Sequence, residues 1–268
     1  MTTWCNGQFV ESLSLDVNER GLMLGDGLFE TLAVHQGKAI WLEEHLVRMG
    51  EAASELGIPF VKGEVNFAVS AILQKSAAPT EVLRVTLTRG PTARGLAAEA
   101  TKPSLILSLN PFDKSKLPPT LRLATSAIRR NPSSPTSRMK TLNYLDNIMA
   151  ARAASTSADD ALMLNAAGNV SCSTVGNIFM LKGDMLTTPA LDQGILPGIV
   201  RAKIIQGANQ IGLRVIQSVI APTALAQADA IFLTNSLRLA TAVSIIDGAP
   251  CGLRDISFIN DFLNRSFT

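Results

Sequence analysis

Ten residues near the middle of the chain, Asn110-Pro-Phe-Asp-Lys-Ser-Lys-Leu-Pro-Pro119, limit what it can fold into. Prolines alternate with charge, and no apolar period runs through them. Such a segment reads as a linker. It separates two patterned stretches, so we expect an N-terminal domain over residues 1–112, a linker over 113–120 and a C-terminal domain over 121–268. The 268-residue length agrees, because one core becomes uncomfortable at that size.

Before the linker, residues 28–41 mix β-branched and apolar positions around His35-Gln36-Gly37-Lys38, the signature of a hairpin turn. Leu46, Met49, Ala52, Ala53 and Leu56 recur at helical spacing, and Gly57 with Pro59 closes that run. A second helix is expected over 64–76 and strands over 82–88 and 105–109, with a loop from Gly90 to Gly95. After the linker the pattern predicts strands at 121–127, 161–165 and 176–181. Helices are expected from near Tyr144 to Ala154 and from Ile199 to Ile211; the remainder, including 230–233, reads as strand and turn, with a last helix near 256–264. The fold class is therefore α+β.

Charged residues make up 17% and hydrophobic residues 47% of the chain, against roughly 25% charged in ordinary soluble domains. A surface so poor in charge is kept soluble more easily when part of it is an interface, which points to an oligomer. The net charge of +2 carries no basic stripe, so nucleic acid is excluded as a partner. No segment has the length of a membrane span and the N-terminus lacks the pattern of a signal peptide. Cys5, Cys172 and Cys251 form no C-x-x-C pair, so neither a disulfide framework nor a metal site is expected and a cytoplasmic location fits.

With only two histidines, His35 in a turn and His45 in a helix, a triad or a histidine metal cluster has little material. An amine nucleophile is the other resource, and Lys140 follows a loop and precedes a helix. Four residues on stands Tyr144, the only tyrosine, whose phenol could bond a cofactor oxygen. By spacing alone a solvated loop residue is the favoured reading of Lys140, and a buried ring with a satisfied hydroxyl is the alternative for Tyr144.

Six segments lie in order along nearly the whole chain. They are Arg20-Gly-Leu-Met-Leu-Gly-Asp-Gly-Leu-Phe-Glu-Thr31, His45-Leu-Val-Arg48, Lys140-Thr-Leu-Asn-Tyr144, Gly168-Asn-Val-Ser-Cys-Ser-Thr-Val-Gly-Asn-Ile-Phe179, Leu196-Pro-Gly-Ile-Val-Arg201, and Leu233-Thr-Asn-Ser-Leu237 leading to Ile246-Asp-Gly248. Their order and spacing resemble the fold-type IV pyridoxal-phosphate enzymes, the class IV aminotransferase-like family. The resemblance implies a small α/β N-terminal domain and a larger, barrel-like C-terminal domain, with pyridoxal 5'-phosphate carried on Lys140. It also implies a homodimer whose cofactor site lies between the domains, near the partner subunit, and a small-molecule amine as substrate. Arg48 resembles the family's phosphate-binding arginine, suited by its fork geometry. Ile199 and Val200 open a helix whose free N–H groups suit the same phosphate, although Val200 stands where many relatives carry a hydroxyl. Ser236 and Leu237 resemble the rest of the phosphate cup, with Asn235 either a support or a turn residue. Asn177 and Tyr144 fall within the cofactor-binding segments, and Phe29 in the segment expected to face substrate.

The departure is Cys172, where the family places a glutamate that keeps the pyridine nitrogen protonated. A thiol does this poorly and leaves a weaker electron sink, a loss that elimination tolerates better than transamination. Gly25 to Thr31, the Thr88-Arg89-Gly90 and Arg94-Gly95-Leu96 pair, and Leu233 to Leu237 are most similar to aminodeoxychorismate lyases. Arg89, Arg94 and Arg138 are the candidates for substrate carboxylates, each equally able to serve in a structural ion pair. An aminotransferase acting on a D- or branched-chain amino acid is the alternative, and a cofactor-binding protein without turnover the third reading.

Overall fold

The computed structural model describes residues 1–99 and 102–265 and divides into two compact units. The first comprises Met1–Lys114 together with Met139–Asn143. Its elements are β1 (Thr2–Cys5), β2 (Gln8–Val10), α1 (Arg20–Leu24), β3 (Gly27–His35), β4 (Lys38–Ala39), α2 (Leu42–Leu56), α3 (Lys62–Leu73), β5 (Thr80–Thr88) and β6 (Ser104–Pro111). Six strands pair in the order β2-β1-β6-β5-β3-β4, every neighbour antiparallel. Gln36 and Gly37 both take positive φ at the β3–β4 turn, the backbone that matches the twist of two-residue hairpins. Gly57 ends α2 in the left-handed conformation, its N–H closing on Ala53. Leu46, Met49, Ala53, Val65, Val69 and Ile72 of α2 and α3 meet Leu28, Leu32, Leu83 and Leu107 of the sheet in one core.

Residues 139–143 belong to this first unit, whereas the sequence pattern assigned them to the domain over 121–268. The reason is local. Met139 packs into the first core, Thr141 bridges Leu28, and two 2.9 Å hydrogen bonds run from Phe29 N–H to the Lys140 carbonyl and from Leu142 N–H to the Gly27 carbonyl. The segment behaves as a short additional partner of β3.

The second unit contains Ser115–Arg138 and Tyr144–Thr268. Its elements are β7 (Thr120–Arg130), α4 (Leu145–Ala154), β8 (Asp160–Asn165), β9 (Val170–Ser173), β10 (Asn177–Lys182), β11 (Met185–Pro189), α5 (Ile199–Gly207), β12 (Arg214–Ser218), β13 (Ala230–Asn235), β14 (Leu239–Ile246), β15 (Ala249–Pro250) and α6 (Ser257–Asn264). The strands run β12-β11-β10-β13-β14-β7-β8-β9, and β9 pairs back onto β10. That last pairing, Asn177 opposite Cys172, closes β10, β13, β14, β7, β8 and β9 into a six-strand barrel. Phe179 and Phe232 stack with ring centroids 5.1 Å apart between adjacent strands. The helix expected over 199–211 is α-helical only to Gly207; Ala208–Ile211 tighten into a 3-10 turn. A Cβ on Gly207 would collide with the Phe262 ring, so α5 ends where α6 presses against it.

Candidate active site

In the first unit the chemistry gathers on β3. Successive strand residues face opposite sides, so Phe29 and Glu30 serve two different environments. Glu30 shares the helix-covered face with Leu28 and Leu32, and its carboxylate is 1% exposed. His45 and Arg48, three apart on α2 and hence on one face, both reach it. His45 Nδ1 lies 2.6 Å from Oε2, and Arg48 donates from Nε to Oε1 at 2.8 Å and from Nη2 to Oε2 at 2.5 Å. Burial pushes the Glu30 carboxyl up, but Arg48 and His45 overcome it and hold its pKa at about 2. Burial holds His45 below its ordinary value despite Glu30.

Phe29 faces the other way. Its ring carries the Lys140 amine at 4.3 Å and the Arg84 guanidinium at 3.9 Å from the centroid. Burial pushes the Lys140 ammonium down, Glu30 opposes this, and Arg48 and Arg84 add to the fall, leaving its pKa at about 8. Lys140 is thus an amine with an accessible neutral form near neutrality, on a segment pinned by its backbone to β3.

Arg89 is placed differently from the substrate-carboxylate role expected of it. Its Nε bonds Asp26 at 2.8 Å, and its two terminal nitrogens bond the carbonyls of Gly57 and Leu56. Buried Arg20 grips the same Asp26 oxygen at 2.7 Å and holds the carbonyls of Gly95 and Leu96. Arg89 is therefore part of a clasp that ties strand end, helix end and loop together. Arg94 lies exposed in the loop so held.

In the second unit Asn177 donates to the Leu196 carbonyl at 2.9 Å and fixes the approach to α5. A Cβ on Gly198 would collide with Asn177 Oδ1, so this approach requires glycine. Gly198 caps α5 without any side-chain bond, and Ile199 and Val200 open the helix with their side chains buried. The hairpin from Asn235 to Leu239 carries Ser236 and Leu237. Asn235 is its turn residue, accepting from the N–H groups of Leu237 and Arg238 at 3.0 and 2.9 Å. Cys172 sits among Ala150, Ala154, Ala161, Met163 and Ile195, and burial pushes its thiol up despite the nearby Arg130. Tyr144 is half-buried at the start of α4, and Arg138 is exposed at the end of a 3-10 turn. Glu30, His45 and Arg84 were given no role from the sequence. A lone carboxylate in an otherwise apolar strand, followed by His and Arg at helical spacing, is the signal that marks the first two.

The profile of the amino-transferase class IV family matches residues 27–246, and the chain belongs to that family. It is 29% identical over 242 residues to the aminodeoxychorismate lyase of Bacillus subtilis, covering 87% of this chain and 83% of that one. Among solved structures it is similar to 4-amino-4-deoxychorismate lyase from Pseudomonas aeruginosa, with a TM-score of 0.87, 28% identity and 98% of each chain covered. It is equally similar in fold to a branched-chain aminotransferase from Thermoproteus uzoniensis, with a TM-score of 0.90, 26% identity, and 99% and 94% coverage. The chain is a pyridoxal-phosphate-dependent enzyme of the fold-type IV class.

The residues present fit that cofactor. Lys140 would supply an amine of lowered proton affinity for its aldehyde. An uncapped helix start on α5 suits its phosphate. The Thr234 hydroxyl, 2% exposed and with no hydrogen-bond partner, marks buried polar capacity beside the Asn235 hairpin.

The lowered Lys140 pKa has a consequence for stability. Between about 8 and the ordinary lysine value of 10.5, the unfolded chain holds a proton that the folded chain has released. Stability therefore rises with pH across that window. Below it the buried charge is a burden, so Lys140→Met in cofactor-free protein should raise the thermal midpoint at pH 7. The gain should shrink as pH approaches 10.5. Melting curves across this range check it, and a gain that grows with pH would contradict the assignment.

Proposed function

We propose that the enzyme is a lyase of the aminodeoxychorismate lyase type, converting 4-amino-4-deoxychorismate to 4-aminobenzoate and pyruvate. The observation that carries this reading is the Cys172 thiol, kept neutral by burial in an apolar cluster at the position where the family resemblance implies a glutamate. Bound pyridoxal phosphate supplies an electron sink next to the substrate nitrogen, and a sink without a carboxylate behind it favours elimination with aromatisation over transamination.

The chain's own residues take the following parts. Lys140 would carry the cofactor on its amine, and a pKa of about 8 would also let that amine take and return a proton. The Phe29 ring packs against the amine at 4.3 Å and so helps to position it. Arg48, the first N–H groups of α5 at Ile199 and Val200, and the turn at Ser236 and Leu237 hold the phosphate. Tyr144 and Asn177 are further candidates to contact the cofactor. Arg84, beside the same Phe29 ring, joins Arg94 and Arg138 as a group for substrate carboxylates. A class IV aminotransferase is the second reading, favoured by the equal likeness to the Thermoproteus uzoniensis enzyme.

The test is to supply 4-amino-4-deoxychorismate, and separately D- and branched-chain amino acids with a keto acid acceptor. The lyase reading expects stoichiometric 4-aminobenzoate and pyruvate, with slow amino-group transfer. Cys172→Glu, which places a carboxylate there, should raise transfer by about tenfold, the equivalent of one pKa unit, and change elimination much less. Fast transfer with no 4-aminobenzoate would establish the second reading instead, and binding without either reaction would defeat both.

The low charge content supports a homodimer. No helix among the described residues is long and apolar enough to cross a membrane, and three free cysteines suit a cytoplasmic setting. Light scattering should give about twice the 28.5 kDa chain mass; a monomer over a wide concentration range would rule the dimer out.

A further inference from the structure

The hairpin from Asn235 to Leu239 is an unusual one. Three residues separate the last β13–β14 pair, Asn235 opposite Leu239, and the chain enters β14 in the left-handed region, with φ of +58° at Leu239. Such hairpins ordinarily place glycine or asparagine at this point, because a Cβ there crowds the following carbonyl. A leucine holds this backbone only if its surroundings over-determine it. Its side chain is buried, and from within the turn Asn235 accepts from the two N–H groups at 237 and 238.

The remaining restraint comes from the other end of the unit. The parallel ladder between β14 and β7 begins only at Ala242, opposite Thr120. At Ala240 the side-chain amide of Asn260, on α6, takes the place of a strand. Its Oδ1 accepts from the Ala240 N–H at 3.0 Å and its Nδ2 donates to the Ala240 carbonyl at 2.9 Å. Helix α6 is itself fixed by fully buried Ile259 and Leu263 and by Phe262 against Gly207 of α5. The same helix therefore braces the two elements proposed to hold the phosphate, α5 and the hairpin.

We propose that Asn260 is a positioning residue for cofactor binding, which clamps Ala240 and so holds the strained hairpin in the form that grips the phosphate group. The inference rests on the reading that residues 236 and 237 face that phosphate. Asn260 touches no cofactor atom; it acts through Leu239 and Ala240. Without its two bonds Leu239 relaxes toward ordinary φ, and the N–H groups of the turn leave their aligned positions.

The experiment compares the affinity of cofactor-depleted protein for pyridoxal phosphate and for pyridoxal, which shares the aldehyde and ring but lacks the phosphate. Asn260→Ala should weaken pyridoxal phosphate by about tenfold, the order expected when hydrogen bonds that set a site's geometry are lost. Pyridoxal should change by no more than about twofold, within the scatter of a site left intact. Asn260→Asp keeps the acceptor for Ala240 N–H and loses the donor for its carbonyl, so its ratio should fall between. Adding Leu239→Gly to Asn260→Ala should restore much of the difference, since glycine adopts the left-handed backbone unaided. Equal weakening of both compounds would show a general structural role and overturn the proposal. Asn235→Ala serves as the reference for the turn itself. If it lowers the affinity ratio and Asn260→Ala does not, Asn260 has no positioning role. If neither does, the hairpin is not the phosphate seat and the underlying reading fails.

Discussion

The two hydrogen bonds that pair residues 140–142 with the start of β3 decide where the Lys140 amine can be. Phe29 N–H bonds the Lys140 carbonyl, Leu142 N–H bonds the Gly27 carbonyl, and Leu28 bridges Thr141. A lysine on a free loop would lose rotamer entropy to reach any defined position. Here the backbone is already registered against a strand whose next residues are Phe29 and Glu30, so the side chain starts from a fixed origin. Gly27 makes the approach possible: a Cβ there would press on Leu142 and on the backbone of Leu87 and Thr88.

The same strand sets the electrostatics. Glu30 is buried, yet two cationic or polar partners from one helix face keep it ionised. That charge restrains the fall in Lys140's proton affinity, while burial, Arg48 and Arg84 drive it. The result lies near the range in which an amine both accepts and returns protons. In the second unit the contrast is the absence of a carboxylate at Cys172. Its cluster of alanines with Met163 and Ile195 packs around the thiol, with Ser171 as its hydrogen-bonding neighbour and Arg130 as the nearby positive charge.

Much of this was legible in the sequence, and the exceptions share a cause. The helices α2 and α3 and the β3–β4 turn follow from apolar spacing and from Gly37 and Gly57, which are local signals. Strands β1, β2, β9 and β11 were not foreseen, because three to five residues are too few to display a period of two. Lys140 was singled out through its motif, but its grouping with residues 1–114 was not foreseen, since backbone pairing over more than a hundred residues leaves no local trace. Arg89 shows the same limit: an arginine beside a glycine loop reads as a ligand group until Asp26, Leu56 and Gly57 are found around it. Arg84 was missed for the opposite reason, being one charge in an alternating strand until the Phe29 ring is seen beneath it.

The central claim is that one lysine, placed by β3, carries the cofactor. Borohydride reduction of the cofactor-loaded protein, followed by digestion and mass spectrometry, reads this directly. The account predicts a single pyridoxyl group, on the peptide containing Lys140, and none after Lys140→Arg. A pyridoxyl group on any other lysine, or undiminished labelling of the variant, would contradict it.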